Sequence, residues 1–303
     1  MIDVPAVDAE PGEVRIAVRA AGVNPTDLFA RSGVYAQFPG APQEMPWIPG
    51  MDVAGVVDQI GADTQTPLQV GDRVMAIVSP SGAHGGYREQ IALPAESVVA
   101  VPAGVDDTAA ATLPMNGLTA RLALDRLGLT SGQVLAVTGA AGAFGGYVIQ
   151  IAVAEGLTVV ADAQESDLEL VRSLGAHVVV PRGDGFADAV RAEFPDGVDG
   201  IADGALLGAA ALPALKDDGA IATLRGYQGE DAPDEVARGV RFEPVLVSQY
   251  VTNTAALDRL RQQVEDGTIT LRVADVLPAA EAGETHRRLE AGGVRGRLVI
   301  DLS

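Results

Sequence analysis

The sequence predicts an α/β chain with two differently built portions: a β-rich, barrel-like portion and a doubly wound parallel sheet. Three observations carry this. Residues 1–110 hold short apolar runs of strand length, broken at close intervals by Gly and Pro. From residue 133 onward, strand-length apolar runs alternate with helix-patterned segments. A glycine-rich turn, 139-GAAGAFGG-146, joins the first of those runs to the first of those helices.

In chain order, EVRIAVRA over 13–20 alternates apolar and polar residues, as a half-buried strand does, and 53–60 and 73–78 are further β-branched runs. Turn pairs such as Pro39-Gly40, Pro49-Gly50 and Gly71-Asp72 separate them. Asp106, Asp107 and Thr108 can cap a helix over 109–113; Pro114 is expected to break it, with the helical pattern resuming over 118–127. Strands are then expected at 133–138, 157–162, 177–180, 198–203, 219–225 and 244–248. Helices are expected at 144–155, 167–174, 186–194 and 205–215, which gives a six-stranded parallel sheet with helices on both faces. Amphipathic helices at 254–265 and 279–291 and a strand at 297–302 complete the chain.

The stretch 133–162 reads as strand, glycine-rich turn, helix, strand, acid, which is the order of a dinucleotide-binding βαβ unit. Gly139 and Ala140 let the chain turn sharply, and Gly142 lets backbone N–H groups approach a pyrophosphate. Gly145 lets the helix lie on the strand, and the helix N-terminus offers its positive dipole end. The spacing is A-x-G-x-x-G, with Ala140 in the place of the usual first glycine. Asp162, closing the second strand, suits the ribose hydroxyls.

Composition narrows the alternatives. The net charge of −20 over 303 residues, with Lys216 the single lysine, leaves no basic stripe for nucleic acid. No apolar run reaches the roughly 20 residues of a membrane-spanning helix. The first residues lack the basic and apolar regions of a signal peptide. The absence of cysteine excludes disulfides and thiolate metal sites and fits a cytoplasmic setting. His84, in a glycine-rich loop, His177, opening a strand, and His286 are too dispersed in sequence to suggest a metal site.

Beyond these readings the chain resembles the quinone oxidoreductase (zeta-crystallin-like) branch of the medium-chain dehydrogenase/reductase superfamily, over nearly its whole length from Pro11. The resemblance rests on 18-VRAAGVNPTD-27, 31-RSGVY-35, 48-IPGMDVAGVV-57, 70-VGDRV-74, 85-GGYRE-89, 113-LPMNGLTA-120, 138-TGAAGAFGG-146, 174-LGA-176 and 293-GVRGRLV-299. It implies a GroES-like catalytic domain formed by 1–105 and 247–303, with a Rossmann dinucleotide-binding domain, 106–246, inserted between. It further implies a cleft active site and a homodimer. It also implies a zinc-free member: zinc-dependent relatives carry Cys where Asn24 stands, His-Glu where Met51-Asp52 stands, and Cys near Asn116.

The reaction so implied is metal-free hydride transfer from NAD(P)H to a quinone or an α,β-unsaturated carbonyl. The resemblance places Asn24 beside the nicotinamide as a donor to the developing oxygen charge, with a turn residue as the alternative reading. Tyr35 would orient substrate or deliver a proton, and Asp27 would fix its own loop through backbone N–H groups. Thr119 would bond the carboxamide, and Asn116 would line the substrate pocket. Phe144 falls within the cofactor turn, and Arg295 could reach the pyrophosphate.

Cofactor choice turns on Asp162. Many members of the branch use NADPH and place a small residue here, followed by Ser and a cation. This chain reads 161-ADAQESDLE-169, with no cation before Arg172, although Arg182 could supply a phosphate partner. A carboxylate at the strand end accepts from the ribose diol and repels a 2′-phosphate, so NADH is favoured over NADPH. Two departures from the family stand out. Only about ten residues precede the segment that follows the family's first strand and hairpin, so that strand is expected to be absent or the start to differ, and 203-DGALLGAAAL-212 replaces an Asp-x-Val-Gly turn. They motivate one alternative, a cofactor-binding scaffold with lost or repurposed catalysis; an enoyl reductase of lipid or polyketide synthesis is a second enzyme reading.

Overall fold

The computed structural model describes residues 2–34 and 46–303. The chain divides into two compact units, Met1–Met115 with Ser248–Ser303, and Asn116–Val247.

The first unit opens with β1 (Glu13–Gly22), α1 (Pro25–Arg31), β2 (Asp52–Ile60) and β3 (Arg73–Ile77). It continues with β4 (Gln90–Pro94), β5 (Val98–Ala100), α2 (Asp107–Ala110) and the start of α3 (Pro114–Leu127). The alternation read in 13–20 is realised: Val14, Ile16 and Val18 are buried and the residues between them are half-exposed or exposed. They pack with Val53, Val57, Val74, Ile91 and Leu93 into one apolar cluster. Asn24, for which a turn residue is the alternative reading, stands at the start of α1. Asn24 is its extended N-cap, and Pro25 stands in the first turn, where a missing N–H costs nothing. The expected break is present between α2 and α3, but Pro114 itself starts α3, four residues ahead of the expected 118.

The second unit contains β6 (Val134–Thr138), α4 (Ala143–Ala154), β7 (Thr158–Ala163), α5 (Leu168–Ser173) and β8 (Val178–Pro181). After these come α6 (Phe186–Glu193), β9 (Val198–Asp203), β10 (Leu215–Thr223), α7 (Pro233–Ala237) and β11 (Arg241–Pro244). Its six strands are parallel throughout, in the order β11-β10-β9-β6-β7-β8. The strand following β6 in the chain lies on one side of it and β9 on the other. The order of winding therefore reverses at β6, and ligands of such sheets bind beyond the carboxyl ends of the strands at that point.

Two expected elements differ. The helix expected at 205–215 is a 3₁₀ segment, Gly208–Ala214, containing Pro213, which cannot donate to an α-helical ladder. The sixth strand is Arg241–Pro244 rather than 244–248; Pro244 ends it, and Val247–Tyr250 is a 3₁₀ turn.

The chain then returns to the first unit with α8 (Thr254–Glu265), β12 (Val273–Pro278), α9 (Ala282–Ala291) and β13 (Arg297–Asp301). The sheet order there is β12-β13-β1-β2-β3-β5, with β4 also paired to β1. Residues 106–115, expected to open the inserted domain, pack with this unit. Arg73 Nη2 donates to Asp107 Oδ1 at 2.6 Å. Gly22 lies so close to the Ala111 carbonyl that a Cβ would fall 2.3 Å from its oxygen.

Candidate functional site

In the second unit the site begins where β6 ends. Gly139 adopts φ +66°, and a Cβ there would lie 2.9 Å from the Gly204 carbonyl carbon, so glycine is required on both counts. Gly142 is the extended N-cap of α4, and its N–H donates to the Gly139 carbonyl at 2.9 Å. A Cβ on Gly145 would lie 2.5 Å from the Gly139 oxygen and 2.8 Å from Ala140 Cα, so the first turn of α4 rests on the glycine turn through hydrogen alone. The N-terminus of this buried helix brings the positive end of its dipole to the turn.

Asp162 closes the arrangement from β7. It is 2 % exposed, and its Oδ1 accepts the Ala140 N–H at 2.9 Å. Burial raises its pKa, and the bonds from Ala140 and Gly139 and the nearby Arg182 work against that rise. Its Oδ2 is buried and accepts no hydrogen bond; Arg182 Nε stands 3.9 Å away. An unsatisfied buried carboxylate oxygen is costly unless something donates to it. A sugar hydroxyl is such a donor, and the turn beside it suits a pyrophosphate, so the residues present fit a dinucleotide.

The next strand end over-determines a second loop. Thr138 Oγ1 donates to Asp203 Oδ1 at 2.6 Å and accepts the Ala205 N–H at 3.0 Å. Asp203 also accepts the N–H groups of Leu207 and Gly208. These bonds hold Leu206 at φ +61° with 42 % of its surface exposed, a conformation that costs a non-glycine residue energy. Phe144 is 8 % exposed, and its ring packs on Gly204. Asn116 and Thr119 are buried on α3, three residues apart and so on one face.

The first unit holds a separate buried polar cluster that sequence reading did not assemble. Asn24 is fully buried and its Nδ2 donates to Asp52 Oδ2 at 2.6 Å. Asp52 Oδ1 accepts the Met115 N–H, at the start of α3, at 2.6 Å. Asp27 accepts the N–H groups of Asn24 and Gly50 at 2.7 and 2.8 Å and the Tyr87 hydroxyl at 3.0 Å, the loop-fixing role expected of it. Tyr87 Oη also lies 3.3 Å from Nε2 of the buried His286.

Burial pushes Asp27 up to about 6 and Asp52 up to about 7; their hydrogen bonds and the buried Arg297 oppose the rise. Burial likewise raises the Tyr87 phenol and lowers His286. These partners are far apart in sequence, Tyr87 and His286 by 199 residues, and no motif spacing reports them.

The expected site residues therefore fall in both units. Ala140, Gly142 and Gly145 come together in one turn, which Asp162 joins from β7, while Phe144 packs on Gly204. Asn24 lies inside the first unit with an amide hydrogen committed to Asp52. Arg295 is also in the first unit, lining a cavity of about 480 Å³ with Val273, Arg288 and Gly293. Tyr35 lies outside the described residues. His177 has the structural role read for it: its Nδ1 accepts the Val159 N–H at 3.1 Å. Among the described residues no three His, Asp or Glu side chains are grouped to hold a metal ion. None of their helices is long and apolar enough to cross a membrane.

Comparison with known proteins agrees with this geometry. Residues 10–103 match the alcohol dehydrogenase GroES-like domain, and residues 174–300 match the zinc-binding dehydrogenase family. The chain is 31 % identical to the 2-methylene-furan-3-one reductase of Solanum lycopersicum, over 97 % of this chain and 72 % of that one. It is 30 % identical to the chloroplastic NADPH-dependent alkenal/one oxidoreductase of Arabidopsis thaliana, over 95 % and 72 % of the two chains. Among solved structures, the quinone oxidoreductase from Coxiella burnetii superposes with a TM-score of 0.86 at 25 % identity, covering all of this chain and 94 % of the other.

Proposed function

This chain belongs to the medium-chain dehydrogenase/reductase superfamily, and from that premise we propose that it is a metal-independent, NAD(P)H-dependent reductase of small quinones or α,β-unsaturated carbonyls. The observation that carries the proposal is the buried, donor-less Oδ2 of Asp162 beside the glycine turn. When bound, the reduced nicotinamide supplies a hydride from its C4. The chain supplies the cradle: α4 and the 139–145 turn hold the pyrophosphate, and Asp162 orients the adenine-side ribose. Thr119 holds the carboxamide and Arg295 assists at the phosphates.

Cysteine is absent and no other metal-ligand cluster occurs among the described residues. That supports an acceptor activated by conjugation rather than by a Lewis acid. Asn24, pinned by Asp52, sets the loop that faces the acceptor, Tyr35 orients the substrate or delivers a proton, and Asn116 shapes the pocket. Asp162 supports NADH as the preferred cofactor, against the NADPH of the Arabidopsis relative. A cytosolic homodimer completes the reading; freedom from cysteine suits that compartment.

The experiment is a calorimetric titration with NADH and NADPH, followed by turnover against a quinone and enone panel in the presence of a chelator. Micromolar nucleotide binding with chelator-resistant turnover is expected. Nucleotide binding without turnover of any acceptor would support a scaffold instead. Turnover of enoyl thioesters alone would support an enoyl reductase, and zinc-restored turnover would refute metal independence.

A further inference from the structure

The Asp162 carboxylate does not stand alone at the ribose end of the candidate site. Arg182 follows β8, the strand beside β7, and its N–H is tied to the Ala163 carbonyl at 3.1 Å, one residue past Asp162. Its guanidinium donates no hydrogen bond among the described residues, and Asp162 is its only ion-pair partner there, at a loose 3.9 Å. Its side chain is 43 % exposed against 2 % for Asp162. Glu165 and Glu169, and the cation Arg172, are exposed on the segment that follows β7. A half-exposed basic side chain held close to a buried acid but not spent on it has capacity left for an anion.

We propose that Arg182 is a specificity-determining residue that lets this site take NADPH as well as NADH, by receiving the 2′-phosphate that Asp162 alone would repel. The proposal rests on the reading of the second unit as the dinucleotide site. With a ribose diol present, a hydroxyl donates to Asp162 Oδ2, and Arg182 stays beside the carboxylate and holds its charge. With a 2′-phosphate present, the guanidinium turns outward to meet two phosphate oxygens and offsets the repulsion from the carboxylate. Arginine suits this because its planar fork matches phosphate geometry. Among the described residues no other cation in the 162–182 stretch is paired with Asp162, so one side chain separates a strict NADH site from a tolerant one.

The test is calorimetric binding of NADH and of NADPH to the full-length protein, its Arg182→Gln variant and its Asp162→Asn variant, at low and high salt. The parent is expected to bind both nucleotides, with NADH tighter by no more than about tenfold, the worth of roughly one weak charge contact. Arg182→Gln should weaken NADPH by about 30-fold or more and NADH by less than about threefold, since only the phosphate uses the guanidinium. Asp162→Asn should weaken NADH and leave NADPH unchanged or tighter. High salt should erode the NADPH affinity of the parent and have little effect on that of Arg182→Gln. Equal losses for both nucleotides in Arg182→Gln, or no loss in either, would overturn the role of Arg182 and leave the dinucleotide site standing. A parent that binds neither nucleotide would overturn the site itself. The exposure of Arg182 makes misfolding of the variant an unsuitable explanation, and an unchanged melting temperature checks that point.

Discussion

Replacing Asp52 by Asn should change the pH dependence of stability in a defined direction. Asp52 is fully buried, and burial pushes it from an ordinary 3.8 up to about 7. The groups that face it are Asn24, the Met115 N–H, Asp27 and Arg297. Between those two pH values the native state holds a proton that the unfolded chain has lost, so raising the pH through that window removes stability. The stability is fully present below about pH 4 and lost above about pH 7. A carboxyl moved that far carries on the order of 4 kcal/mol, of which about 3 kcal/mol falls between pH 4.5 and pH 8.

Asn cannot ionise. It also turns an NH₂ toward one of two donors, Asn24 Nδ2 or the Met115 N–H, which adds a penalty of about 1–3 kcal/mol that does not vary with pH. The informative quantity is therefore the difference between variant and parent as a function of pH. Asp27 titrates in both proteins and largely cancels. Urea unfolding of both proteins from pH 4.5 to pH 8 should show the variant gaining on the parent by about 3 kcal/mol across the range. Parallel stability curves, or a variant that loses ground as pH rises, would refute the assignment of a protonated Asp52 to the native core at low pH.

Three further substitutions test the rest of the frame. Gly145→Ala places a Cβ 2.5 Å from the Gly139 oxygen. Overpacking should cost about 1–3 kcal/mol, less about 1 kcal/mol recovered as helix propensity. Nucleotide affinity should fall at least about tenfold because the displaced backbone is the phosphate cradle; calorimetry showing unchanged affinity would contradict this. Asp203→Ala strands the Thr138 hydroxyl and the N–H groups of Leu207 and Gly208, and a melting curve should report a loss of about 2–4 kcal/mol. Asp106→Ala removes the cap that accepts the Ala109 N–H at 2.7 Å and should cost about 1 kcal/mol in urea unfolding, with nucleotide affinity unchanged.

What could be read from the sequence was whatever backbone geometry imposes locally. The turn from Gly139 to Gly145 and the acid at Asp162 were legible because close approach demands glycine and the strand end demands a partner for Ala140 and Gly139. β12 was not legible, since Val273 to Val276 are all exposed on an edge strand and carry no alternation. The start of α3 at Pro114, and not at 118, was not legible because proline is compatible with a helix start as well as a helix break. The Asn24–Asp52 bond was hidden for a different reason. The two residues are 28 apart and meet only because β1 and β2 pair with Gly22 opposite Asp52. The Tyr87–His286 contact likewise exists only once the chain has returned to its first unit.

The central claim is metal-free hydride transfer from a nicotinamide held at Asp162. Its most direct test is label transfer: NADH carrying deuterium at the transferring C4 position, a small enone, excess chelator, and mass analysis of the product. The account predicts one deuterium on carbon in the reduced product, with transfer at low NADH strongly reduced in Asp162→Ala. A reduced product without label, or label transfer that requires added zinc, would contradict it.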